Sequence, residues 1–142
     1  MIIQIIFALA SVIAIANLTL GGSRLPPIND PVQVVADCQS LVEMKQRGEL
    51  KPNEIDVRRT GTLAKEQWPA SISALTPLGV SVFDDRVSIL ISTGGMDASY
   101  GFLIPNLKQT NYNYIGQVRY STGVKYISRT QFQEIYYWED IE

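Results

Sequence analysis

The sequence predicts an α+β protein in which an N-terminal transmembrane or signal helix precedes one amphipathic helix packed on a small antiparallel β-meander sheet. Three observations predict this fold class. Residues 1–23 contain no charged side chain, residues 30–48 carry helix-capping signals and helical periodicity, and apolar residues alternate with period two from Leu78 onward. We therefore divide the chain into residues 1–24, a transmembrane anchor or signal peptide, and residues 25–142, a single globular domain.

The N-terminal segment has the length and composition of a membrane span. As a helix, Ile2–Leu20 would extend about 28 Å, close to the roughly 30 Å hydrocarbon core of a bilayer. A retained single-pass anchor is therefore the first interpretation. The second is a signal peptide cleaved after Ala16, because Ala14-Ile15-Ala16 has the small-residue pattern of a cleavage site. A buried helix of a soluble core is the third, although such helices seldom lack charge over this length.

The sequence has few signals that determine on which side of the membrane the domain lies. No Lys or Arg precedes the apolar segment, and Arg24 alone follows it closely. Arg24 would favour a cytoplasmic domain, but Asp30 and Asp37 come soon after it. We expect a single-pass membrane protein whose domain lies outside the cytoplasm, or an exported soluble domain if the segment is cleaved at Ala16.

The first helix of the domain has a well-marked beginning and end. Asp30 is a favoured N-cap, Pro31 suits the first helical position, and Gln33 completes a capping-box pattern. Gly48 ends the helix. Its apolar residues recur at the spacing of one helical face: Val34, Val35, Cys38, Leu41 and Val42. We interpret Cys38 as a small buried core residue because a reactive thiol needs a basic neighbour.

A second, short helix is predicted between two prolines. Pro69 suits its start, and Pro77 must end it. Trp68, Ile72 and Leu75 follow helical spacing, so we expect them to pack on the core.

The C-terminal half of the chain has the pattern of strands in meander order. The clearest hairpin joins Leu78–Phe83 to Arg86–Ile91 through a turn at Asp84-Asp85. The further predicted strands are Tyr100–Ile104, Tyr112–Tyr120, Val124–Ile127 and Ile135–Trp138, the last with a helical turn as the alternative. We expect the first helix to cover one face of this sheet.

One short motif resembles a known set of proteins. Trp68-Pro69 and Leu75-Thr76-Pro77 lie between a helix and a hairpin, an order that resembles uncharacterised small bacterial membrane-anchored or exported proteins with a W-P…L-x-P stretch. The resemblance covers residues 25–105. It implies location and domain type, and it brings neither an activity nor functional residues.

Composition excludes several kinds of function. The chain has no histidine, one cysteine and a net charge of −2, so we expect no metal site, no cofactor and no nucleic-acid binding. Thr93-Gly94-Gly95 lacks the Lys and Ser or Thr of a phosphate loop. Asp84, Asp85 and Asp97 could supply carboxylates for acid–base chemistry, although turn formation explains the first two.

The aromatic content of the C-terminal third is the most unusual feature. Its candidate partner surface comprises Tyr112, Tyr114, Tyr120, Tyr126 and Trp138. Tyr and Trp suit surfaces where one end of the side chain is apolar and the other is wet. They are also good strand residues, so packing within the sheet is the alternative. Contact with the membrane surface is a third interpretation.

These observations favour a membrane-tethered, non-catalytic domain that binds a protein or an envelope component through an aromatic sheet face. Two alternatives remain. One is a structural or accessory subunit of a membrane complex, with Ser11, Asn17 and Thr19 facing a partner helix. The other is a histidine-independent enzyme, which requires a pocket where at least two of a set of charged residues converge: Lys65, Glu66, Asp84, Asp85 and Asp97.

Overall fold

The computed structural model describes residues 25–53, 61–93, 98–106, 116–120 and 123–141. The predicted membrane segment Ile2–Leu20 lies outside the described residues. The helices are α1 (Pro31–Gln46), a 3₁₀ turn (Lys65–Gln67) and α2 (Ala70–Ser73). The strands are β1 (Gly79–Val82), β2 (Arg86–Ser92), β3 (Ala98–Pro105), β4 (Gly116–Tyr120), β5 (Gly123–Arg129) and β6 (Tyr136–Ile141). The predicted combination of a helix with an antiparallel sheet is confirmed.

Helix α1 begins and ends where its sequence signals predict. The Asp30 carboxylate accepts a hydrogen bond of 3.1 Å from the backbone N–H of Gln33. Gly48 follows the helix with a φ of +70°, a conformation that glycine adopts without penalty. The reciprocal half of the capping box is absent, because the Gln33 side chain donates to Asp37 instead. The predicted apolar stripe is buried in full: Val34, Val35, Cys38, Leu41 and Val42.

The short helix α2 packs beside α1 as its prolines and periodicity predict. Ile72 and Leu75 are buried, and Trp68 packs on the same core. The Trp68 indole N–H donates to the carbonyl of Leu63. The hydroxyl of Ser71 donates to the Asp37 carboxylate, so a polar contact joins the two helices.

The β1–β2 hairpin is confirmed, and its outer edge is covered. The N–H of Phe83 donates to the carbonyl of Arg86 at 2.8 Å, which closes the turn around Asp84-Asp85. Along the outer edge of β1, the N–H of Leu63 donates to the carbonyl of Val80. The hydroxyl of Thr62 accepts from the N–H of Val82 on the same edge. These contacts satisfy edge groups that would otherwise be open to another strand.

The sheet differs from the predicted simple meander. Its strand order is β1-β2-β3-β6-β5-β4, with every neighbouring pair antiparallel. The chain therefore passes from β3 to the far edge of the sheet and returns inward through β5 and β6. Two three-stranded units join along the β3–β6 ladder, which pairs Leu103 with Tyr136 and Ala98 with Ile141. The prediction assumed that consecutive strands always pair, which is the commoner arrangement.

A β-bulge bends β2 where it meets β3. Leu90 pairs with Gly101 and Ser92 pairs with Tyr100, so Ile91 is the extra residue. A Cβ atom on Gly101 would lie 1.8 Å from the carbonyl oxygen of Ile89. Only glycine therefore allows the two backbones to approach this closely.

The sheet has a buried cluster on each face. Helix α1 covers one face, which we call the helix face. Its sheet residues are Val80, Val82, Val87, Ile89, Phe102 and Ile104, with Ile135 beside them. Buried residues of the opposite face are Leu103, Ile127 and Trp138, with Leu90 and Tyr136 packed against them. Each fully buried aliphatic side chain contributes roughly 1.5–3 kcal/mol, so both faces stabilise the fold.

Candidate functional site: a tyrosine patch on the helix face

Helix α1 covers only one half of the face on which it packs. It contacts β1 and β2, and the core cluster beneath it extends to Phe102 and Ile104 on β3. On α1 itself, Gln46 bonds the carbonyl of Asp84 and Gln39 bonds Asn106. Both partners lie at the end of the sheet where β2 begins and β3 ends. The helix therefore lies across this end, and the start of β3 and the end of β6 lie beyond it.

The strand register places three tyrosines on the half of the helix face beyond α1. Tyr100 on β3 and Tyr126 on β5 both pair with Glu139 on β6, from opposite sides. Tyr137 precedes Glu139 by two residues and pairs with Phe102, which is part of the helix-side core. Directly paired residues, and residues two apart on a strand, share one face of a sheet. We call this group, Tyr100, Tyr126, Tyr137 and Glu139, the tyrosine patch.

Distances within the tyrosine patch show direct contacts. The ring centroids of Tyr100 and Tyr137 lie 6.4 Å apart at an interplanar angle of 44°, which is a favourable tilted arrangement. The Tyr137 hydroxyl donates to the Glu139 carboxylate at 3.4 Å, a long hydrogen bond. Tyr100 is 9% exposed, whereas Tyr126 is 43% exposed. The patch therefore has a buried base at Tyr100 and an exposed ring at Tyr126.

The tyrosine patch offers apolar ring faces and hydrogen-bonding groups for non-covalent contacts. A phenol ring offers an apolar face and a hydroxyl that can donate or accept, and a carboxylate accepts only. The exposed Tyr126 ring, with the half-buried Tyr137 and Glu139 beside it, can contact a partner's apolar, amide and cationic groups.

The predicted partner-surface residues fall in three different places. Tyr126 is the exposed ring of the tyrosine patch. Trp138 lies on the opposite face, is 5% exposed, and donates its indole N–H to the carbonyl of Phe102 at 3.0 Å. It packs the second buried cluster and is not exposed to a partner. Tyr120 lies at the end of β4, and its backbone pairs with Gly123 of β5. Tyr112 and Tyr114 lie outside the described residues.

Three members of the tyrosine patch were not among the predicted partner-surface residues: Tyr100, Tyr137 and Glu139. Tyr100 stands in an isolated strand pattern, and Glu139 is an ordinary acidic residue near the C-terminus. Both become neighbours of Tyr126 only through the β3–β6 and β5–β6 pairings. The sequence signal that could have found part of the patch is the alternation of side chains along a strand. It places Tyr137 and Glu139 on one face of β6 and Trp138 on the other.

A groove opens on the same face, between α1 and the loop from Thr130 to Ile135. It is lined by Pro31, Val32, Val35, Ala36, Gln39, Gln131, Phe132, Gln133, Glu134 and Ile135, and its volume is about 550 Å³. The Thr130 hydroxyl donates within this loop to the carbonyl of Ile135 and accepts from the N–H of Phe132. Those contacts fix the wall that faces the helix.

The charged residues of the enzymatic alternative do not line this groove. Asp85 forms an ion pair of 2.8 Å with Arg86, and the carbonyl of Asp84 accepts from Gln46. The ammonium group of Lys65 lies 6.0 Å from the centre of the Trp68 ring. Asp97 lies outside the described residues. Within the described ranges, no group of three or more His, Cys, Asp or Glu residues could hold a metal ion.

Cys38 is a core residue, as its place in the apolar stripe predicts. The side chain is 1% exposed. Burial raises the pKa of the Cys38 thiol well above its ordinary value, and the neighbouring Asp37 carboxylate raises that pKa further. Because the thiolate is the nucleophile, this cysteine has no reactive form near neutral pH.

Comparison with known proteins gives the chain no relative. A scan against protein-family models, a search of curated proteins and a search of solved structures each found no match. In the part of the chain that the structure describes, no helix is both long and apolar enough to cross a bilayer.

Proposed function

We propose that this chain is a membrane-tethered, non-catalytic domain that binds a protein partner through the tyrosine patch. The observation that carries the proposal is the position of three tyrosines on the helix face beyond the described strands on which α1 packs. Helix α1 packs over β1 and β2, and three tyrosines follow on the same face beyond it. Tyr126 keeps 43% of its surface exposed there.

The composition of the tyrosine patch favours a protein as the partner. Tyrosine is enriched in protein interfaces and among the few residues that supply most of the binding free energy. Its two side-chain torsions lose little entropy on binding, and its neighbours already hold it. Tyr100 and Tyr137 are in ring contact, so their positions are fixed before a partner arrives. Glu139, which pairs with Tyr100 on one side and Tyr126 on the other, adds a carboxylate that can accept from an N–H or a cation.

The tether is proposed from the sequence. Ile2–Leu20 has the length of a bilayer span and no charged side chain. A domain held at a membrane meets its partner at a raised effective concentration, so a small contact surface can be sufficient. The resemblance to small membrane-anchored or exported bacterial proteins is in line with such a location.

The experiment compares two substitutions at matched exposure. Tyr126 is 43% exposed on the tyrosine patch, and Leu78 is 46% exposed beside the edge strand β1, in the other half of the sheet. Full-length wild type, Tyr126→Ser and Leu78→Ser are each expressed in the cells of origin. They are extracted from membranes in mild detergent, and the proteins that co-purify are quantified by isotope-labelled mass spectrometry.

We expect at least one co-purifying protein to fall about tenfold or more with Tyr126→Ser, because truncating a central interface tyrosine costs on the order of 2 kcal/mol. Leu78→Ser should leave the same protein at its wild-type level. Equal recovery of every co-purifying protein with all three chains would contradict the proposal. A loss with both variants would also contradict it, because the effect would then come from the fold and not from the patch.

A further inference from the structure

The start of the described domain is held close to the end of the apolar segment. Leu25 and Ile28 are partly buried and pack against the helix-side core. Only five residues lead from Leu20, the last residue of the apolar segment, to Leu25. A chain of five residues reaches at most about 18 Å. If Ile2–Leu20 lies in a bilayer, the core contact of Leu25 is therefore within about 18 Å of the membrane boundary.

The first turn of α1 follows at once and carries an unusually exposed apolar side chain. Val32 is 79% exposed, more than Leu78 at 46% or Tyr126 at 43%. It lies at the second helical position, seven residues after Leu25. Val32 contributes little to the core at this exposure, and it lines the same groove as Pro31, Val35 and Phe132.

The groove beside Val32 has a matching composition. Pro31, Val32, Val35 and Ala36 form one wall, and Phe132 and Ile135 form the other. The polar lining consists of glutamine amides and a single charged residue, Glu134. No Lys or Arg is among the lining residues, so this surface has nothing with which to attract anionic lipid headgroups. Apolar and amide groups instead suit the boundary between headgroups and acyl chains of a neutral bilayer.

We infer that the first turn of α1 and the loop from Thr130 to Ile135 rest on the bilayer surface, with Val32 inserted at the boundary between headgroups and acyl chains. The inference rests on the proposed membrane tether. The occupant of the groove is zwitterionic phospholipid. Two linked contacts then hold the domain: the apolar segment fixes its distance from the membrane, and this face fixes its orientation.

The orientation has a consequence for the tyrosine patch. Ile135 in the groove and Glu139 in the patch are four residues apart along the β6 segment, about 13 Å in a strand. Both lie on the helix face. When the groove lies against the bilayer, the tyrosine patch lies about 13 Å above the membrane surface. The fitting partner is then the membrane-proximal part of another membrane protein.

The test places a fluorescent label at two positions of the same helix. Val32→Cys puts the label on the inferred membrane face. Lys45→Cys puts it on an exposed site 13 residues later, about 20 Å along the helix axis. Native Cys38 is 1% exposed and does not compete, and the unsubstituted chain measures any residual labelling. Each full-length chain is labelled with an environment-sensitive nitrobenzoxadiazole dye and reconstituted into phosphatidylcholine vesicles, with and without lipid-attached nitroxide quenchers.

We expect the label at position 32 to emit at shorter wavelength and to be quenched several-fold more strongly by the lipid nitroxides than the label at position 45. If the protein floats with the vesicles and both labels are quenched equally weakly, the inference is overturned and the tether stands. If the protein does not float with the vesicles, the tether fails and the inference fails with it. A label at position 32 that is shifted but unquenched, together with an interchain disulfide formed by the unlabelled Val32→Cys chain under mild oxidation, would assign the groove to a second copy and also overturn the inference.

Discussion

Gly101 shows how a single atom decides the shape of the sheet. The bulge at Ile91 brings the backbone of β2 so close that a Cβ on Gly101 would lie 1.8 Å from the Ile89 carbonyl oxygen and 2.9 Å from its carbon. Both neighbours are backbone atoms and cannot rotate away. The same bulge shifts the register by one residue and places Tyr100 opposite Ser92. The position of Tyr100 in the tyrosine patch therefore depends on Gly101.

We expect Gly101→Ala to lower the free energy of unfolding by more than about 3 kcal/mol, or to prevent folding, because the backbone must separate. Gly48→Ala is the matched control. Gly48 has a φ of +70° with no atom near its potential Cβ, so alanine there costs about 1–2 kcal/mol of backbone strain alone. Urea unfolding of the full-length chains, followed by tryptophan fluorescence, measures both. Equal losses for the two variants would show that the close approach at Gly101 is absent.

Trp138 illustrates what residue type alone does not determine. Its sequence neighbours are aromatic, and tryptophan favours both interfaces and cores. The side of the sheet decides between them, and that side depends on which strand pairs with β6. The face of Tyr126 follows from the same pairing. The residue types were therefore sufficient to identify the aromatic residues as a group. The strand register was needed to tell which of them lie on the helix face and which lie on the opposite face.

Helix α1 was predictable because all its signals are local. The N-cap, the first-turn proline, the apolar stripe and the terminal glycine lie within about twenty residues, and the structure confirms each of them. The hairpin at Asp84-Asp85 was predictable for the same reason. The pairing of β3 with β6 was not, because it joins residues more than thirty positions apart and has no turn of its own.

The cap of α1 gives a direct test of this local account. We expect Asp30→Ala to lower the free energy of unfolding by about 1 kcal/mol, because the N–H of Gln33 loses its acceptor. Asp30→Asn keeps an acceptor oxygen and should stay within a few tenths of a kcal/mol of wild type. Thermal or urea unfolding of the full-length chains in detergent compares the three. An alanine variant as stable as the asparagine variant would mean that the cap contributes nothing to folding.

At the scale of the whole molecule, the two halves of the sheet have different surroundings. The half formed by β1 and β2 lies under α1, and its outer edge is covered by the segment from Gly61 to Leu63. The half formed by β5 and β6 carries the exposed ring of Tyr126 on the same face. We propose that the part under α1 stabilises the fold and that the part carrying the tyrosines binds a partner. That division is the basis of the proposed function.

The candidate site could be predicted from the sequence only in part. The aromatic enrichment of the C-terminal third pointed to a surface, and Tyr126 belongs to it. Tyr100 and Glu139 could not have been chosen, because they join Tyr126 through a non-local ladder. The groove could not be foreseen either, since Val32 and Phe132 are a hundred residues apart and meet only across the folded domain.

The central claim is that the tyrosine patch contacts a protein partner, and site-specific photocrosslinking tests it most directly. The photoreactive amino acid p-benzoylphenylalanine replaces Tyr126 in one full-length chain and Leu78 in the other, two positions of nearly equal exposure in opposite halves of the sheet. The chains are irradiated in intact cells of origin and the adducts are separated by mass. We expect a discrete adduct from position 126 and none of that mass from position 78. The same adducts from both positions, or none from position 126, would contradict the claim.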